Sequence, residues 1–479
     1  MELERPLMAA DMLIVPLVAA LACLLPIGAL ARALAVASGL IVALVAGADA
    51  WGLYRSAPAD PADALVWAAP LGASFSLGSD GFSGALLVLG GVLFAVGAAA
   101  SDGVAAPRAY FATWCLLQAA VSGVFVARDL IVFFVFWEAM LVPLALLMWQ
   151  WGGSDRRAAT FRFLLYTMAG SALLLLGIVA LGIGARTFDL ARLAAYRLSP
   201  SSQVIFALLF LAAFAVKLPL FPFHAWLPRA YSAAPVPVAL VLSGIVAKTA
   251  VYGIARICLV LFPIGMSLLA PYLVALATVG TLYGALLATR QRDTRGLIAF
   301  ASLSHLNLIG LAVFLATPAG LQAALLASVS HGLVVAALFL LAAALARRLG
   351  DHSFGPGGLS AGAPVFVSFM TLAIVAAIGV PGTSGFAGEF LILAAAVERF
   401  PGAGAVATLV VIGAAVYGLS FLRNAFFGPV SITGSDLGWR ERGLLIPVLV
   451  LVFVLGVAPR LVTDLAVPPT ASAPASTGR

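Results

Sequence analysis

The chain alternates long apolar runs with short stretches that carry most of its charged residues, from Met12 to Val467. As helices, these runs are long enough to cross a hydrocarbon core of about 30 Å. The pattern predicts fourteen spans, at residues 11–30, 32–53, 80–100, 107–127, 129–150, 160–184, 203–231, 234–258, 269–288, 296–316, 319–346, 362–397, 403–428 and 441–466. A β-barrel would need alternating segments of about ten residues, which the pattern lacks. The predicted fold class is an all-α polytopic membrane protein.

Three segments outside the spans have a different composition. The stretch from Arg55 to Ser79 carries three prolines and two aspartates, and it is predicted to be an extramembrane loop. A short surface helix is predicted between Arg186 and Ser202, where arginines mix with apolar residues. The tail from Pro468 to Arg479 is rich in Ala, Pro, Ser and Thr, which favours disorder.

Two of the predicted spans are interrupted by helix-breaking residues. In the seventh, Pro219 and Pro222 follow Lys217 closely, and each proline removes a backbone donor. The twelfth breaks at Gly379-Val-Pro-Gly-Thr-Ser-Gly385, which contains Pro381, Gly382 and Gly385. A helix broken within a membrane leaves backbone groups that must meet protein partners or line a wet cavity.

The two breaks lie five spans apart, which is typical of transporters built from inverted repeats with an ion site near the midplane. We therefore expect four parts in the chain. Residues 1–106 hold helices 1–3, residues 107–258 form the first inverted repeat (helices 4–8), residues 269–428 form the second (helices 9–13), and residues 429–479 hold helix 14 and the disordered tail.

Composition supports the membrane assignment and limits the functions. The chain is 63% hydrophobic and 9% charged, whereas a soluble domain is about 25% charged. Its net charge of +7 is spread over many short loops, so topology explains it better than nucleic-acid binding. The positive-inside rule then places both termini outside the cytoplasm. The three cysteines have no CxxC spacing and indicate neither a metal site nor a disulfide framework.

The basic residues are divided by type. Both lysines, Lys217 and Lys248, lie within apolar spans, while the 24 arginines fall at or near span ends. Arginine stays charged at any accessible pH, but a desolvated lysine can lose its proton near neutrality. Two carboxylates, Glu138 and Glu389, share the interior. Each buried ionisable group costs roughly 2.5–3.5 kcal/mol, so four of them, at on the order of 10 kcal/mol, indicate a function such as a proton relay.

The first half of this predicted relay consists of Glu138, Lys217 and Lys248. Glu138 lies deep in the fifth span, and Lys217 is its natural partner, so a pair that opens and closes would act as a proton gate. The alternative is an ion pair that only orients helices. Lys248 has no carboxylate near it in the sequence, which favours a relay station over a lysine that extends to the membrane surface.

His305 and His331 lie in the tenth and eleventh spans, each directly after a serine. An imidazole both donates and accepts near neutral pH, so these residues could pass protons onward. They could instead be core polar groups, or ligands of a haem or metal, although no further ligand stands at a useful spacing. Glu389 would end the relay on the far side, and its alternative role is a cap on the broken helix.

Five motifs together resemble the antiporter-like M-type subunits of bacterial NADH:quinone oxidoreductase, respiratory complex I, over nearly the whole chain. They are Phe136-Trp-Glu-Ala-Met-Leu-Val-Pro143, Phe214-Ala-Val-Lys-Leu-Pro-Leu-Phe-Pro-Phe-His-Ala-Trp-Leu-Pro228, Leu297-Ile-Ala-Phe with Ser302-Leu-Ser-His305, Ser330-His-Gly-Leu333 and Gly379-Val-Pro-Gly-Thr-Ser-Gly-Phe-Ala-Gly-Glu-Phe-Leu-Ile392. The glutamate at the second break favours the M type, because sister subunits L and N and the Mrp antiporters resemble one another in carrying lysine there.

The resemblance implies a proton-translocating subunit of the complex, in the bacterial inner membrane, with both termini on the periplasmic side. Its implied partners are other membrane-arm subunits, including the L-type and N-type subunits, and lipids. The chain itself is expected to bind no cofactor, while the whole complex would use FMN, iron–sulfur clusters and quinone. By resemblance, Glu138 and Lys217 form the first-half pair, Lys248 connects, His305 and His331 form the central axis, and Glu389 is the exit carboxylate.

Two other functions remain open at this point. One is a subunit of a Mrp-type cation/proton antiporter or of a membrane-bound hydrogenase on the same fold, against which Glu389 argues. The other is a membrane scaffold that transports nothing and only pairs with a partner subunit. A scaffold would gain nothing from the desolvation cost of Glu138, Lys217, Lys248 and Glu389.

Overall fold

A computed structural model describes residues 4–26, 28, 30–55, 65–68, 72–349, 359–427 and 435–466. Within these ranges the chain is a bundle of helices with one small β-hairpin. The predicted tail from Pro468 to Arg479 lies outside the described residues, as does part of the predicted loop between Arg55 and Ser79.

The elements follow one another in chain order. The first half holds α1 (Glu4–Leu24), α2 (Leu30–Arg55), β1 (Leu65–Ala68), β2 (Ala73–Phe75), α3 (Gly81–Ala100), α4 (Pro107–Val126), α5 (Leu130–Ala139), α6 (Leu141–Trp151), α7 (Arg156–Ala185), α8 (Leu190–Ala195), α9 (Pro200–Lys217), α10 (Leu227–Ala233), α11 (Val236–Val241), the π-helical segment π1 (Leu242–Val246), α12 (Lys248–Gly253), π2 (Ile254–Cys258) and α13 (Leu259–Leu261). The second half holds α14 (Pro263–Ala288), α15 (Thr294–Phe314), α16 (Pro318–Leu349), α17 (Leu359–Gly362), α18 (Pro364–Ala377), α19 (Ser384–Arg399), α20 (Pro401–Ala407), α21 (Leu409–Phe426), α22 (Trp439–Val457) and α23 (Arg460–Thr463).

The all-α polytopic class is confirmed, whereas the number of spans stays a prediction. Among the described residues, 11 helical stretches are long and apolar enough to cross a membrane, and two more apolar helices are shorter. Among the described residues, each of the fourteen predicted spans contains helix, but several are divided. The fifth, for example, consists of α5 and α6, which meet at Met140.

Local sequence explains where several helices begin. Asp80 caps α3: its carboxylate accepts from the backbone N–H of Ser83 at 2.8 Å, and the Ser83 hydroxyl accepts from the N–H of Asp80. Such a box satisfies two backbone donors that the first turn leaves free. At α5 the carboxylate of Asp129 alone is the cap, and it accepts from the N–H of Ile131 at 2.8 Å. The expected short helix after Arg186 is α8, and Asp189 caps it through the N–H of Arg192.

Close helix packing depends on small residues. Gly39 of α2 faces Gly91 of α3, and a Cβ on Gly91 would lie 2.6 Å from the carbonyl oxygen of Gly39. Small residues let membrane helices approach closely, where van der Waals contact replaces the hydrophobic effect as the attractive force. Most of the eighth predicted span, which runs from α11 to α13, lies inside the bundle and is surrounded by other helices. It is therefore the central element around which a buried pathway can form.

Candidate functional site

The first helix break follows Lys217, the last residue of α9. The chain then turns through residues 218–226 before α10 begins, so Pro219 and Pro222 lie within the interruption. At the start of the break, Trp226 satisfies a backbone acceptor, because its indole N–H donates to the carbonyl of Val216 at 2.9 Å. The freed backbone at this break therefore finds protein partners, as a broken helix inside a membrane requires.

Lys217 is buried, with 1% of its surface exposed, and its ammonium group lies in an aromatic pocket. Its Nζ is 4.9 Å from the ring centre of Trp137 and 5.9 Å from that of Phe163. These distances allow cation–π attraction, which is stronger when water is excluded. Within the described part of the chain, Nζ has no hydrogen-bond partner.

Glu138, the residue after Trp137, interacts electrostatically with Lys217 but does not form an ion pair with it in this structure. Its Oε1 is buried and has no hydrogen-bond partner among the described residues. The pair that the sequence suggests is thus close but open. Two buried polar groups left without partners are costly, so a closed arrangement or a bridging proton carrier would relieve both.

Lys248 begins α12 between the two π-helical segments and is completely buried. Its Nζ donates to the carbonyl of Ser243 in π1 at 2.6 Å, and it lies 2.7 Å from Nδ1 of His331 in α16. A π segment widens the helix by one residue per turn, which changes the partners of its carbonyls and often marks a functional site. Here it gives the buried lysine a fixed acceptor.

His331 faces Lys248 with one ring nitrogen and is unpartnered at the other. When Lys248 carries its ammonium, Nδ1 of His331 accepts and the hydrogen of the neutral ring lies on Nε2. That Nε2 is buried and has no hydrogen-bond partner among the described residues. The ring centre of His305 in α15 lies 5.9 Å from the ring centre of His331. The two imidazoles therefore face a common space.

His305 and Glu389 form a second pair. Nε2 of His305 lies 3.0 Å from Oε1 of Glu389, and Nδ1 of the same ring lies 2.9 Å from the carbonyl of Ala301. Since a carbonyl can only accept, Nδ1 of His305 carries a hydrogen. One further proton is then shared between the imidazole and the carboxylate, as neutral histidine with carboxylic acid or as imidazolium with carboxylate.

The second helix break places Glu389 beside exposed backbone. Pro381 and Gly382 lie in the interruption between α18 and α19, while Gly385 lies in the first turn of α19. At Gly379 the backbone is left-handed, with φ of 69°, and a Cβ there would lie 2.5 Å from Oε2 of Glu389. Only glycine therefore allows both this backbone conformation and the approach of the carboxylate.

A cavity of about 40 Å³ lies beside His331, His305 and Glu389. Its mainly apolar wall carries five polar side chains: Ser302, His305, Ser330, His331 and Glu389. A buried water needs roughly 10–15 Å³ of such space and two to four polar partners, so the cavity has room for about three waters. Lys248, His331, His305 and Glu389 thus form a row in which the only gap can be filled by water.

The pair near the first break and this row are separate in the structure. Within the described residues, no hydrogen bond joins Glu138 or Lys217 to Lys248. The ring of Phe214 lies between their helices: it packs at 5.3 Å on Trp137, and a Cβ on Gly253 of α12 would lie 2.5 Å from it. An apolar ring therefore stands where the two halves of the predicted relay would have to connect.

Two polar residues that sequence reasoning missed lie at the breaks. Asn307, in α15, hydrogen-bonds to the backbone of the first break, and its signal was an amide in an otherwise apolar stretch two residues after His305. Tyr417, in α21, has a buried hydroxyl without a hydrogen-bond partner in the described part of the chain and interacts electrostatically with Glu389. Its signal was weaker, because tyrosines are common near membrane surfaces.

The described residues contain no group of three or more His, Cys, Asp or Glu side chains that could hold a metal ion. The three cysteines are buried and free. His305 and His331 instead use three of their four ring nitrogens in contacts to a carboxylate, a carbonyl and a lysine. This geometry suits proton exchange better than ligation.

The family model described as NADH:quinone oxidoreductase/Mrp antiporter, TM, matches residues 127–414 of this chain. NADH-quinone oxidoreductase subunit M of Pseudomonas aeruginosa is 36% identical, covering 84% of this chain and 82% of its own length. A chain in the structure of respiratory complex I from Thermus thermophilus with bound NADH is 31% identical, with a TM-score of 0.87 and coverage of 96% and 98%. A chain in the Mrp complex from Dietzia is 25% identical, with a TM-score of 0.86 and coverage of 96% of both chains.

Proposed function

Since the chain belongs to the NADH:quinone oxidoreductase/Mrp antiporter family of membrane proteins, we propose that it carries protons along the row from Lys248 to Glu389. It is an antiporter-like, proton-translocating membrane subunit, similar over most of its length to M subunits of NADH-quinone oxidoreductase. The observation that carries the proposed path is the pair of short contacts, Lys248 to His331 and His305 to Glu389, on either side of one cavity.

The transfer along the row can be written proton by proton. Lys248 passes a proton from Nζ to Nδ1 of His331, which leaves a neutral amine and an imidazolium. The imidazolium releases the proton at Nε2 into the cavity, where water carries it to the His305–Glu389 pair. Glu389 then releases it on the far side of the second break. These steps leave Lys248 as a neutral amine and His331 with its hydrogen on Nδ1. The next cycle begins once Lys248 takes up a proton from the entry side and the neutral His331 ring tautomerises back to its Nε2–H form.

We propose that Glu138 and Lys217 control entry to this row. In the open arrangement Lys217 is held by the rings of Trp137 and Phe163, apart from the carboxylate. When the pair closes, Glu138 neutralises the positive charge of Lys217, so that charge no longer repels a proton moving toward Lys248. Movement of the Phe214 ring would then let water connect the two lysines. The pair thus acts as a gate, and the row as the conductor.

We propose further that the chain works within a complex I of the bacterial inner membrane, beside L-type and N-type subunits, with both termini on the periplasmic side. The similarity to M subunits over 84% of this chain supports that assignment. Quinone, FMN and iron–sulfur clusters would belong to other subunits, and energy from quinone reduction would reach this chain as a change in charge or conformation at its surface. The fourteen-span count and the two inverted repeats, 107–258 and 269–428, complete the proposal, supported by the two helix breaks.

A Mrp-type antiporter subunit is the second candidate, because the Dietzia chain has nearly the same fold. The higher identity to M subunits, 36% compared with 25%, favours the first candidate. A scaffold without transport would carry the free-energy cost of desolvating Lys217, Lys248 and Glu389 with no functional benefit.

Affinity purification of the tagged chain from its native membrane, followed by identification of its partners and reconstitution in vesicles, tests the function. We expect other complex I subunits to copurify, and NADH oxidation with a quinone to acidify the vesicle lumen. Copurification with Mrp subunits alone, together with proton movement driven by a cation gradient rather than by NADH, would assign the chain to the second candidate.

A further inference from the structure

Asn307 connects α15 to the first helix break. Its side-chain Nδ2 donates to the carbonyl of Pro219 at 3.1 Å and to the carbonyl of Leu303 at 2.8 Å. Its Oδ1 accepts from the backbone N–H of Phe221 at 3.2 Å. Asn307 is completely buried. One side chain thus satisfies a backbone acceptor and a backbone donor of the interrupted segment, 86 and 88 positions earlier in the chain.

The partners fix the orientation of this amide. A carbonyl oxygen can only accept and a backbone N–H can only donate, so Nδ2 must face Pro219 and Oδ1 must face Phe221. At this size, only an amide or a protonated carboxylic acid provides a donor and an acceptor in this arrangement. The contact therefore depends on one of these two groups.

Asn307 and His305 lie on opposite sides of α15. Residues two apart on an α-helix are separated by about 200° around its axis. His305 accordingly faces Glu389 and the cavity, while Asn307 faces the break that follows Lys217. Asn307 thereby connects α15, which carries His305 of the row, to the break that follows Lys217.

We propose that Asn307 is a positioning residue that couples the gate at Lys217 to the row at His305. A shift of residues 218–226 pulls on α15 through the two hydrogen bonds that join Asn307 to Pro219 and Phe221, and α15 moves His305 relative to His331. This proposal rests on the proposed function, because it assigns a coupling role within the same proton path. Its direct consequence is that loss of the amide uncouples the two halves without removing any proton-carrying group.

The space for this amide comes from Gly280 of α14. A Cβ at Gly280 would lie 2.0 Å from Oδ1 of Asn307, closer than any real contact permits. Gly280→Ala therefore displaces the amide without changing it. This offers a second, independent way to break the contact.

The test uses the assembled complex in vesicles, with proton yield per electron and backbone hydrogen exchange as readouts. Asn307→Leu keeps the approximate volume but removes all three hydrogen bonds. We expect it to lose most of the proton yield attributable to this subunit and to exchange about tenfold faster or more at Phe221 and its neighbours, because the break loses its partners. Gly280→Ala should produce the same two effects.

Ser304→Ala provides the matched control. Ser304 lies on the same helix, is equally buried, and donates one hydrogen bond to the carbonyl of Thr281 rather than to the break. We expect its proton yield and the exchange rate at the break to stay near wild type. A loss in Ser304→Ala as large as in Asn307→Leu would mean that any buried hydrogen bond of α15 matters equally, and would overturn the proposal.

Asn307→Asp tests positioning rather than mere stability. In its protonated form the acid can still donate to Pro219 and accept from Phe221, and burial favours that form. We expect a proton yield near wild type at low pH and a loss relative to wild type as pH rises, because the carboxylate repels the Pro219 carbonyl. The comparison with wild type at each pH accounts for the charged or titratable groups on the surrounding elements: Lys217, His224, Tyr283, His305, His331 and Glu389.

The two proposals fail differently. If Lys217→Ala and His305→Ala leave the proton yield unchanged, the proposed path is wrong. If those variants lose the yield while Asn307→Leu and Gly280→Ala pump normally, the path stands and the coupling role of Asn307 is wrong.

Discussion

Nζ of Lys248 lies 2.7 Å from Nδ1 of His331, a contact between residues 83 positions apart that joins the central buried helix to α16. This lysine has no carboxylate partner among the described residues, and the contact places it directly against the side chain best suited to take its proton. The remaining contact of this ammonium, to the Ser243 carbonyl, can only hold it in place.

His331→Gln should separate hydrogen bonding from proton transfer. The amide oxygen of glutamine can still accept from Lys248, but an amide does not take up and release protons near neutral pH. We expect the complex to assemble and oxidise NADH while proton translocation through this subunit is largely lost. Ser328→Ala, which changes a buried serine of the same helix outside the cavity lining, is the control that should pump. Equal pumping by His331→Gln and wild type would remove this imidazole from the path.

Glu138→Gln and Lys217→Ala should each abolish most proton translocation and leave the complex assembled. Glu138→Gln removes the negative charge of the closed ion pair, and Lys217→Ala removes its positive partner. Lys217→Arg, which keeps the positive charge that Glu138 neutralises, should retain more proton translocation than Lys217→Ala. Proton uptake and NADH oxidation measured on the same vesicles distinguish these effects from lost assembly. Normal pumping by assembled Glu138→Gln would exclude that carboxylate.

The sequence predicts the two helix breaks of the site but not the contacts between its side chains. Proline and glycine act locally, so both helix breaks could be placed from the sequence alone. The contacts of Lys248 and Asn307 join residues more than eighty positions apart and arise from helix packing, which no local pattern encodes. The π-helical segments on either side of Lys248 carry no proline or other signal that would distinguish them from ordinary helix. Likewise, only the packed structure separates Glu138 from Lys217.

Glu389→Gln should stop release of protons on the far side of the second break. The amide can still meet Nε2 of His305, but it does not take up and release protons near neutral pH. We expect a proton yield per electron as low as in His331→Gln. Glu398→Gln is the matched control, because Glu398 is exposed on the same helix, α19. An unchanged yield in Glu389→Gln would place the exit elsewhere.

Asp80 should stabilise the fold in a pH-dependent way. Its Oδ2 lies 2.8 Å from Nε of Arg256, which is 16% exposed at the side chain. Burial alone would raise the pKa of Asp80, but Arg256, Arg128 and the N–H of Ser83 outweigh it and lower the pKa below its usual value. Because the folded-state pKa is lowered, the stabilisation is present above the unfolded value of about 4 and is lost as pH falls below it.

Asp80→Asn tests this contribution in the purified complex. We expect thermal unfolding at neutral pH to show a loss of about 1–2 kcal/mol, since asparagine still caps α3 but leaves Arg256 without its partner. The difference from wild type should shrink as pH falls below 4. Asp155→Asn, at an exposed helix start without a side-chain cap, should change little. A constant difference at all pH values would show that charge is not the cause.

The most direct measurement of the central claim is the number of protons moved per electron by the complex carrying Lys248→Met, reconstituted in sealed vesicles. Methionine keeps most of the length and the apolar stem of lysine but carries no titratable proton, so the row would lose its first member and keep most of its packing. We predict normal assembly, quinone-dependent NADH oxidation, and a proton yield reduced to that of His331→Gln. A yield equal to wild type would contradict the account, because protons would then cross without the Lys248–His331 contact.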